Sequence, residues 1–338
     1  MRPLGPVSTR PSHRPRVGHR VAGCGLAAIG GATQAVRSRL NGEFGSRLHD
    51  GVATAGVTFA VGLAVTGGLI TSRPGARRAS ARVRDGLRGG ALRPWQCLGG
   101  LGGALLVSAQ SITVAALGVT VFSVAVVAGQ TLSSLLVDRL GTGPTPPQPL
   151  TAPRAVGAAL AIAAVLVAAG GRLYDGSVVG PTVLSAVAGL SVAWQQGFNG
   201  RVRATSDSAL ATTGVNFAIG TAALMVAVAV DIGVRGLPAG TLPSQPWLYP
   251  PGVIGAFYIG VSAMVVRYTG VLLLGLSLTS GQMVSALILD SVAPEPGSTV
   301  GATLVIGIAL ALLAIFIASS RVPHPWPRRE RAAGAAGQ

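Results

Sequence analysis

The chain has 338 residues, of which only 11% are charged and 49 are glycine, and its mean hydropathy is +0.58. Soluble domains carry about a quarter charged residues, so this composition excludes an ordinary water-soluble fold and points to a protein that lives in lipid. The formal net charge of +16 rests on arginine alone, because lysine is absent; the arginines fall between apolar runs rather than on one domain face, which excludes nucleic acid as the natural partner.

Residues 1–20 are rich in arginine and proline and hold no apolar run, which predicts a disordered cytoplasmic tail. The apolar stretch that follows continues into Gln34, Arg37 and Asn41 without a small-residue cleavage site, so it reads as a retained first span rather than a signal peptide. Window length and loop signals then place spans at 21–39, 51–71, 95–116, 118–138 and 151–170 in the first half. The second half gives 179–199, 208–232, 248–267, 269–290 and 299–320 on the same grounds. Runs such as 156–170, 180–193 and 299–317 carry no charge. Lipid offers their backbone no partner, so they must be helical, and the period-two polarity of a barrel strand is missing. Leu117–Gly118 and Tyr268–Gly270 leave room only for tight turns between spans. Residues 72–94 read as a long loop, 144–153 as a stiff proline connector, and 321–338 as a cytoplasmic C-terminal tail. Trp95, Trp247 and Tyr249 stand at span starts, where amphipathic rings favour the interface. Cys24 and Cys97 lie in or beside apolar spans and read as small packing residues, not as a disulfide or a metal site.

The chain repeats itself. Gly56-Val57-Thr58-Phe59-Ala60-Val61-Gly62 returns as Gly214-Val215-Asn216-Phe217-Ala218-Ile219-Gly220, and Asn41-Gly42 returns as Asn199-Gly200, both at an offset of 158. The segment from Gly129-Gln130 to Asp138 returns from Gly281-Gln282 to Asp290 at an offset of 152. The expected architecture is therefore an all-α integral membrane protein of ten transmembrane helices, with one five-helix repeat at 21–170 and a second at 171–320. An odd number of spans per copy turns the second copy upside down and puts a two-fold axis in the membrane plane, where inverted-repeat transporters hold substrate. With the N-terminus inside, 21 arginines fall in inside segments and five outside, namely Arg37, Arg39, Arg47, Arg172 and Arg235. That bias predicts a multi-pass membrane protein with both termini cytoplasmic.

The polar first span, the Gly-Val-x-Phe-Ala-x-Gly second span, the Gly-Gln-x-x-x-Ser-Leu-x-x-Asp fourth span and the five-plus-five layout resemble the drug/metabolite transporter superfamily, in particular its YdcZ-like inner-membrane exporter branch. The resemblance covers about residues 21–320. It implies two inverted five-helix halves, and a central cavity lined mainly by the first, third and fourth helices of each half. It also implies export of a small metabolite or toxic small molecule by alternating access. The family's first helix commonly carries Gln four residues before its Asn. The second half keeps this as Gln195 and Asn199, whereas the first half has Arg37 there, with Gln34 one turn earlier. A cation at that place either changes the charge preference of the substrate or sits at the outer rim.

Gln130 and Gln282 are the strongest lining candidates, because an amide in mid-span needs a partner; the bland reading is a hydrogen bond that only holds the bundle together. Gly129 and Gly281 before them would let another backbone or a ligand approach. Asn41 and Asn199 read first as helix C-caps ahead of glycine, and otherwise as a polar pair at the pathway mouths. Gln195 and Asn216 join the lining, Thr58 is the repeat partner of Asn216, and Trp194 is either an aromatic wall or an interfacial anchor. Asp138 and Asp290 end equivalent spans on opposite faces; rim solvation is favoured over proton carriage, since buried charge is costly. No Asp or Glu sits at the centre of a span, so either the rim aspartates couple a proton or the protein is a facilitator. No clustered catalytic set, metal set or phosphate loop is present, so the expectation is not an enzyme and no cofactor. The expected partners are a small molecule and the bilayer, with a proton if coupling occurs. The chain would act as a monomer, or as a homodimer through glycine faces such as Gly99 and Gly103. Two rivals are a non-transporting membrane scaffold and a lipid-handling protein.

Overall fold

The computed structural model describes residues 17–140, 151–170, 176–238, 240–294 and 301–319, and among these every regular element is helical. The helices are α1 (Val17–Leu48), α2 (Gly51–Ser72), α3 (Pro74–Arg88), α4 (Gly99–Leu140), α5 (Ala152–Ala169), α6 (Val179–Ser206), α7 (Ala209–Arg235), α8 (Pro251–Val292) and α9 (Ala302–Ser319). The expected N- and C-terminal tails, apart from 17–20, and most of the proline connector lie outside the described residues. Among the described residues, four segments are long and apolar enough to cross a bilayer, at Gly51–Ser72, Pro94–Val137, Ala152–Ala169 and Ala209–Arg235. Large apolar side chains such as Val183, Val226, Val230 and Phe316 face outward, as a lipid-facing belt requires.

Two of these helices do not run straight. A 42-residue helix would extend about 63 Å, twice the hydrocarbon core. Helix α4 breaks at Gly118, whose φ of 78° and ψ of 163° suit only a residue without a Cβ. In α8, a Cβ on Gly30 would lie 3.3 Å from Val261 and 3.4 Å from Leu278. Seventeen residues of straight helix would hold these two about 25 Å apart, so the backbone turns back between them. Shorter caps order other junctions: Asp50 accepts from the amides of Val52 and Ala53 at 2.9 and 2.8 Å to start α2, and Ser208 accepts from Ala211 at 3.3 Å to start α7.

The sequence repeat is written into the packing. Gly129 of α4 lies against the backbone of Ala186 in α6, and Gly281 of α8 lies against Ala28 in α1. Gly189 meets Val126, and its repeat partner Gly31 meets Leu278. Gly100 rests on the Asn216–Gly220 backbone, and Gly252 rests on the Thr58–Gly62 backbone. At each place a Cβ would lie 1.8–2.4 Å from a backbone atom of the neighbouring helix, far inside van der Waals contact, so two backbones touch where any side chain would separate them. The helices consequently exchange partners: α4 packs most extensively on α6, α1 on α8, and α5 on α9.

Two expectations need correction. The first span does not end at residue 39. Helix α1 continues to Leu48, because Gly42 fits against Val114 and Gly45 against the Ser111 backbone of α4, and that packing outweighs glycine's tendency to end a helix. The 72–94 segment is not a plain loop, since most of it forms α3. This helix buries Ala76, Ala79, Val83 and Gly86 and turns Arg77, Arg78, Arg84 and Arg88 outward, while Arg82 donates to the Ser206 carbonyl.

The crossings predict a contrast between glycines. Gly129→Ala and Gly281→Ala each force two backbones apart, and overpacking of that kind costs about 1–3 kcal/mol. Gly67→Ala meets open space and gains helix propensity instead. In detergent, melting temperature is expected to fall for the first two and to hold or rise for the third.

Candidate functional site

The exchanged packing leaves a cavity of about 140 Å³ between the halves. Helix α1 supplies Gln34 and Arg37; α4 supplies Gly103, Gln110, Phe122 and Gln130; α6 supplies Gln195, Gln196 and Asn199. Phe59 comes from α2, Asn216 and Phe217 from α7, and Gly255, Tyr258 and Gln282 from α8. Most of these pair across the repeat: Arg37 with Gln195, Phe59 with Phe217, Gly103 with Gly255, and Gln130 with Gln282. Phe59 and Phe217 stack edge to face at 5.1 Å and 61°, each ring lying over the glycine of the opposite half, Gly220 or Gly62.

Two polar chains flank the aromatic pair. In the first half, Thr58 donates to Asn41 Oδ1 at 3.0 Å, Asn41 Nδ2 donates to Gln110 Oε1 at 2.8 Å, and Gln110 Nε2 donates to Ser38 Oγ at 3.0 Å. Asn41 is fully buried within α1. In the second half, Gln195 Nε2 donates to Asn216 Oδ1 at 3.3 Å, and Asn216 Nδ2 donates to Asn199 Oδ1 at 3.1 Å. Neither asparagine is the helix C-cap that its following glycine suggested: α1 and α6 both run on past them. Their amides are tied to the neighbouring helix instead, because a buried amide without a partner is costly.

Gln282 Nε2 donates to Ser123 Oγ at 3.3 Å, while Gln130 has no hydrogen bond among the described residues and lines the cavity. Gln34 accepts from Arg37 Nη1 at 3.2 Å. Arg37 is 8% exposed, so it belongs to the bundle interior and not to the outside loop where the charge count placed it. Trp194 is half-buried outside the cavity lining and tilts 57° against Phe198, which in turn meets Trp95. The aromatic wall is formed by Phe59, Phe122, Phe217 and Tyr258. Sequence reasoning missed Gln110, Ser38, Ser123 and Tyr258, because none falls in a repeated motif; the mid-span position of Gln110 was the one available signal.

Asp290 is 2% exposed, and so is not a solvated rim group. Its Oδ1 accepts from the Val119 amide at 3.0 Å and its Oδ2 from the Thr120 amide at 2.8 Å, so it caps the helix that restarts after Gly118. Both oxygens are engaged at a helix N-terminus, where negative charge is stabilised. The side chain of Asp138 lies outside the described residues. Among the described residues no cluster of three or more metal-ligating side chains occurs.

Replacing Asp290 separates capping from charge. Asp290→Ala leaves two buried amides unmet and is expected to cost about 1–2 kcal/mol. Asp290→Asn keeps an acceptor and is expected to retain more than half of that stability. Thermal unfolding of the three proteins in one detergent checks the order.

The family model described as "Putative inner membrane exporter, YdcZ" matches the chain over residues 23–167 and again over 181–317. No curated protein matches it. The two matched segments follow the sequence repeat and contain every residue of the cavity. The chain is a multi-pass membrane protein and belongs to the YdcZ inner-membrane exporter family of the drug/metabolite transporters.

Proposed function

We propose that the protein has ten spans in two inverted five-helix repeats, α4 and α8 supplying two spans each, and that it exports a small molecule by alternating access. The observation that carries this reading is the cavity built from repeat-related residues of both halves, with Phe59 over Gly220 and Phe217 over Gly62 at its centre. A site shared in this way changes its exposure when one half rocks against the other, without any need to move the ligand relative to its lining. The amides of Gln130, Gln195, Gln282, Asn199 and Asn216 supply donors and acceptors, and the phenyl rings supply an apolar wall, which is the usual make-up of a small-molecule site. Its chemistry is binding and release; the cavity lining holds no nucleophile–base pair, which supports a transporter over an enzyme.

The arginine bias supports cytoplasmic termini. It grows stronger once Arg37 is assigned to the bundle interior, and the basic outward face of α3 suits an anionic cytoplasmic leaflet. Asp290 and the Gly118 turn it caps then both lie at the outer face. Two measurements address the reading. In a background with Cys24 and Cys97 replaced by serine, a membrane-impermeant maleimide is expected to label Arg84→Cys only in inside-out vesicles and Leu242→Cys only in intact cells; the reverse pattern overturns the orientation. A ligand that binds only the folded protein raises its melting temperature. Across amines, sugars, amino acids, nucleosides and drugs, a shift in the wild type that is lost in Gln130→Ala/Gln282→Ala is expected. A flat response with no flux into proteoliposomes favours a scaffold or a lipid-handling role.

A further inference from the structure

Among the described residues, the cavity lining carries one charge. Arg37 lines it and is 92% buried, and no Asp or Glu is among the lining residues. Of its five N–H donors one meets an acceptor among the described residues, Gln34 Oε1 at 3.2 Å, and that acceptor is neutral. Its Nε is buried with no hydrogen-bond partner. Glu43, the acid nearest in sequence, is bound to Arg47, and Asp290 is bound to the Val119 and Thr120 amides. Packing makes room for the guanidinium: a Cβ on Gly255 would lie 3.5 Å from both its Cζ and its Nε.

An uncompensated cation inside a bundle is expensive, and such residues mark ligand or ion pathways. The repeat sharpens the point. The equivalent residue of the second half is Gln195, beside Gly103 as Arg37 is beside Gly255, and its amide is satisfied by Asn216. The fold thus accepts a neutral amide at this position, so the charge is not a requirement of packing.

Resting on the reading of the cavity as a substrate site, we propose that its substrate is a small organic monoanion, such as a carboxylate, whose charge Arg37 neutralises. One guanidinium matches one carboxylate, and its planar fork can donate two parallel bonds to it. The neighbouring amides of Gln34 and Gln130 provide further donors, and Phe59, Phe122 and Phe217 accept the apolar part. A volume of about 140 Å³ suits a single ring or a short chain and not a bulky amphiphile.

The test uses three probes of equal size and different charge: benzoate, benzamide and benzylammonium. With the full chain in detergent, benzoate is expected to raise the melting temperature most and benzylammonium not at all. Arg37→Gln, which installs the residue of the other half, is expected to melt near the wild type without ligand and to bind benzoate at least about tenfold more weakly, with benzamide unchanged. Arg37→Lys is expected to keep the order of the probes with a smaller benzoate shift. The probe series on the wild type alone decides the matter should Arg37→Gln fail to fold. A preference for benzamide or benzylammonium overturns the anion assignment and leaves the transport reading standing. A flat response to all three overturns it as well, and the broader panel with Gln130→Ala/Gln282→Ala then decides separately whether the cavity takes substrate.

Discussion

Four glycine contacts hold the two halves in register. Gly129 on Ala186 and Gly189 on Val126 join the part of α4 after Gly118 to α6, while Gly281 on Ala28 and Gly31 on Leu278 join the end of α8 to α1. In lipid no hydrophobic effect draws helices together, so close van der Waals packing must do it, and packing is closest where both backbones are bare. The cavity is a consequence of this exchange. Each half lends the other one wall, and the space between the crossings is what neither half can fill.

The polar groups in that space divide into two kinds. Asn41, Gln110, Ser38 and Thr58 close a network in which each amide finds a side-chain partner, a state that favours one fixed arrangement. Gln130 and the guanidinium of Arg37 have capacity left over. A transporter needs both. The satisfied network ties α1, α2 and α4 together, and the unsatisfied groups are the ones for which a ligand offers something that the protein does not.

Much of this was legible in the sequence, for a physical reason. Repeats separated by constant offsets constrain topology however weak each motif is, and apolar length constrains spans because lipid tolerates no unpaired backbone. Gln130, Gln282, Gln195 and Asn216 stood out because an amide among aliphatic residues must be spoken for. Local turn chemistry misled where tertiary packing overrode it: Asn41-Gly42 looks like a helix end and is not one, because Gly42 is there to admit Val114. The same error moved Arg37 into a loop. Asp290 looked like a rim charge because the turn that it caps belongs to a different part of the chain, 171 residues from Val119, and no local pattern reports such a contact. Trp194 was drawn toward the cavity by its neighbours Gln195 and Gln196, yet one residue of helix turns a side chain by about 100°, and it faces Phe198 and away from the cavity.

The position of Asp290 bears on energetics as well as on shape. Both oxygens of this carboxylate accept from backbone amides, so Asp290 is engaged in holding the turn at Gly118 and has no acceptor left over for cargo. The charge that does face the cavity is the guanidinium of Arg37. A lining whose one charge among the described residues is a cation distinguishes cargo by charge, and this is what the proposed anionic substrate rests on. For an anionic cargo, the loaded cavity is electrically neutral and the empty one is not. On the proposed reading, desolvating an unpaired cation would make closure of the empty cavity costlier than closure around an anion.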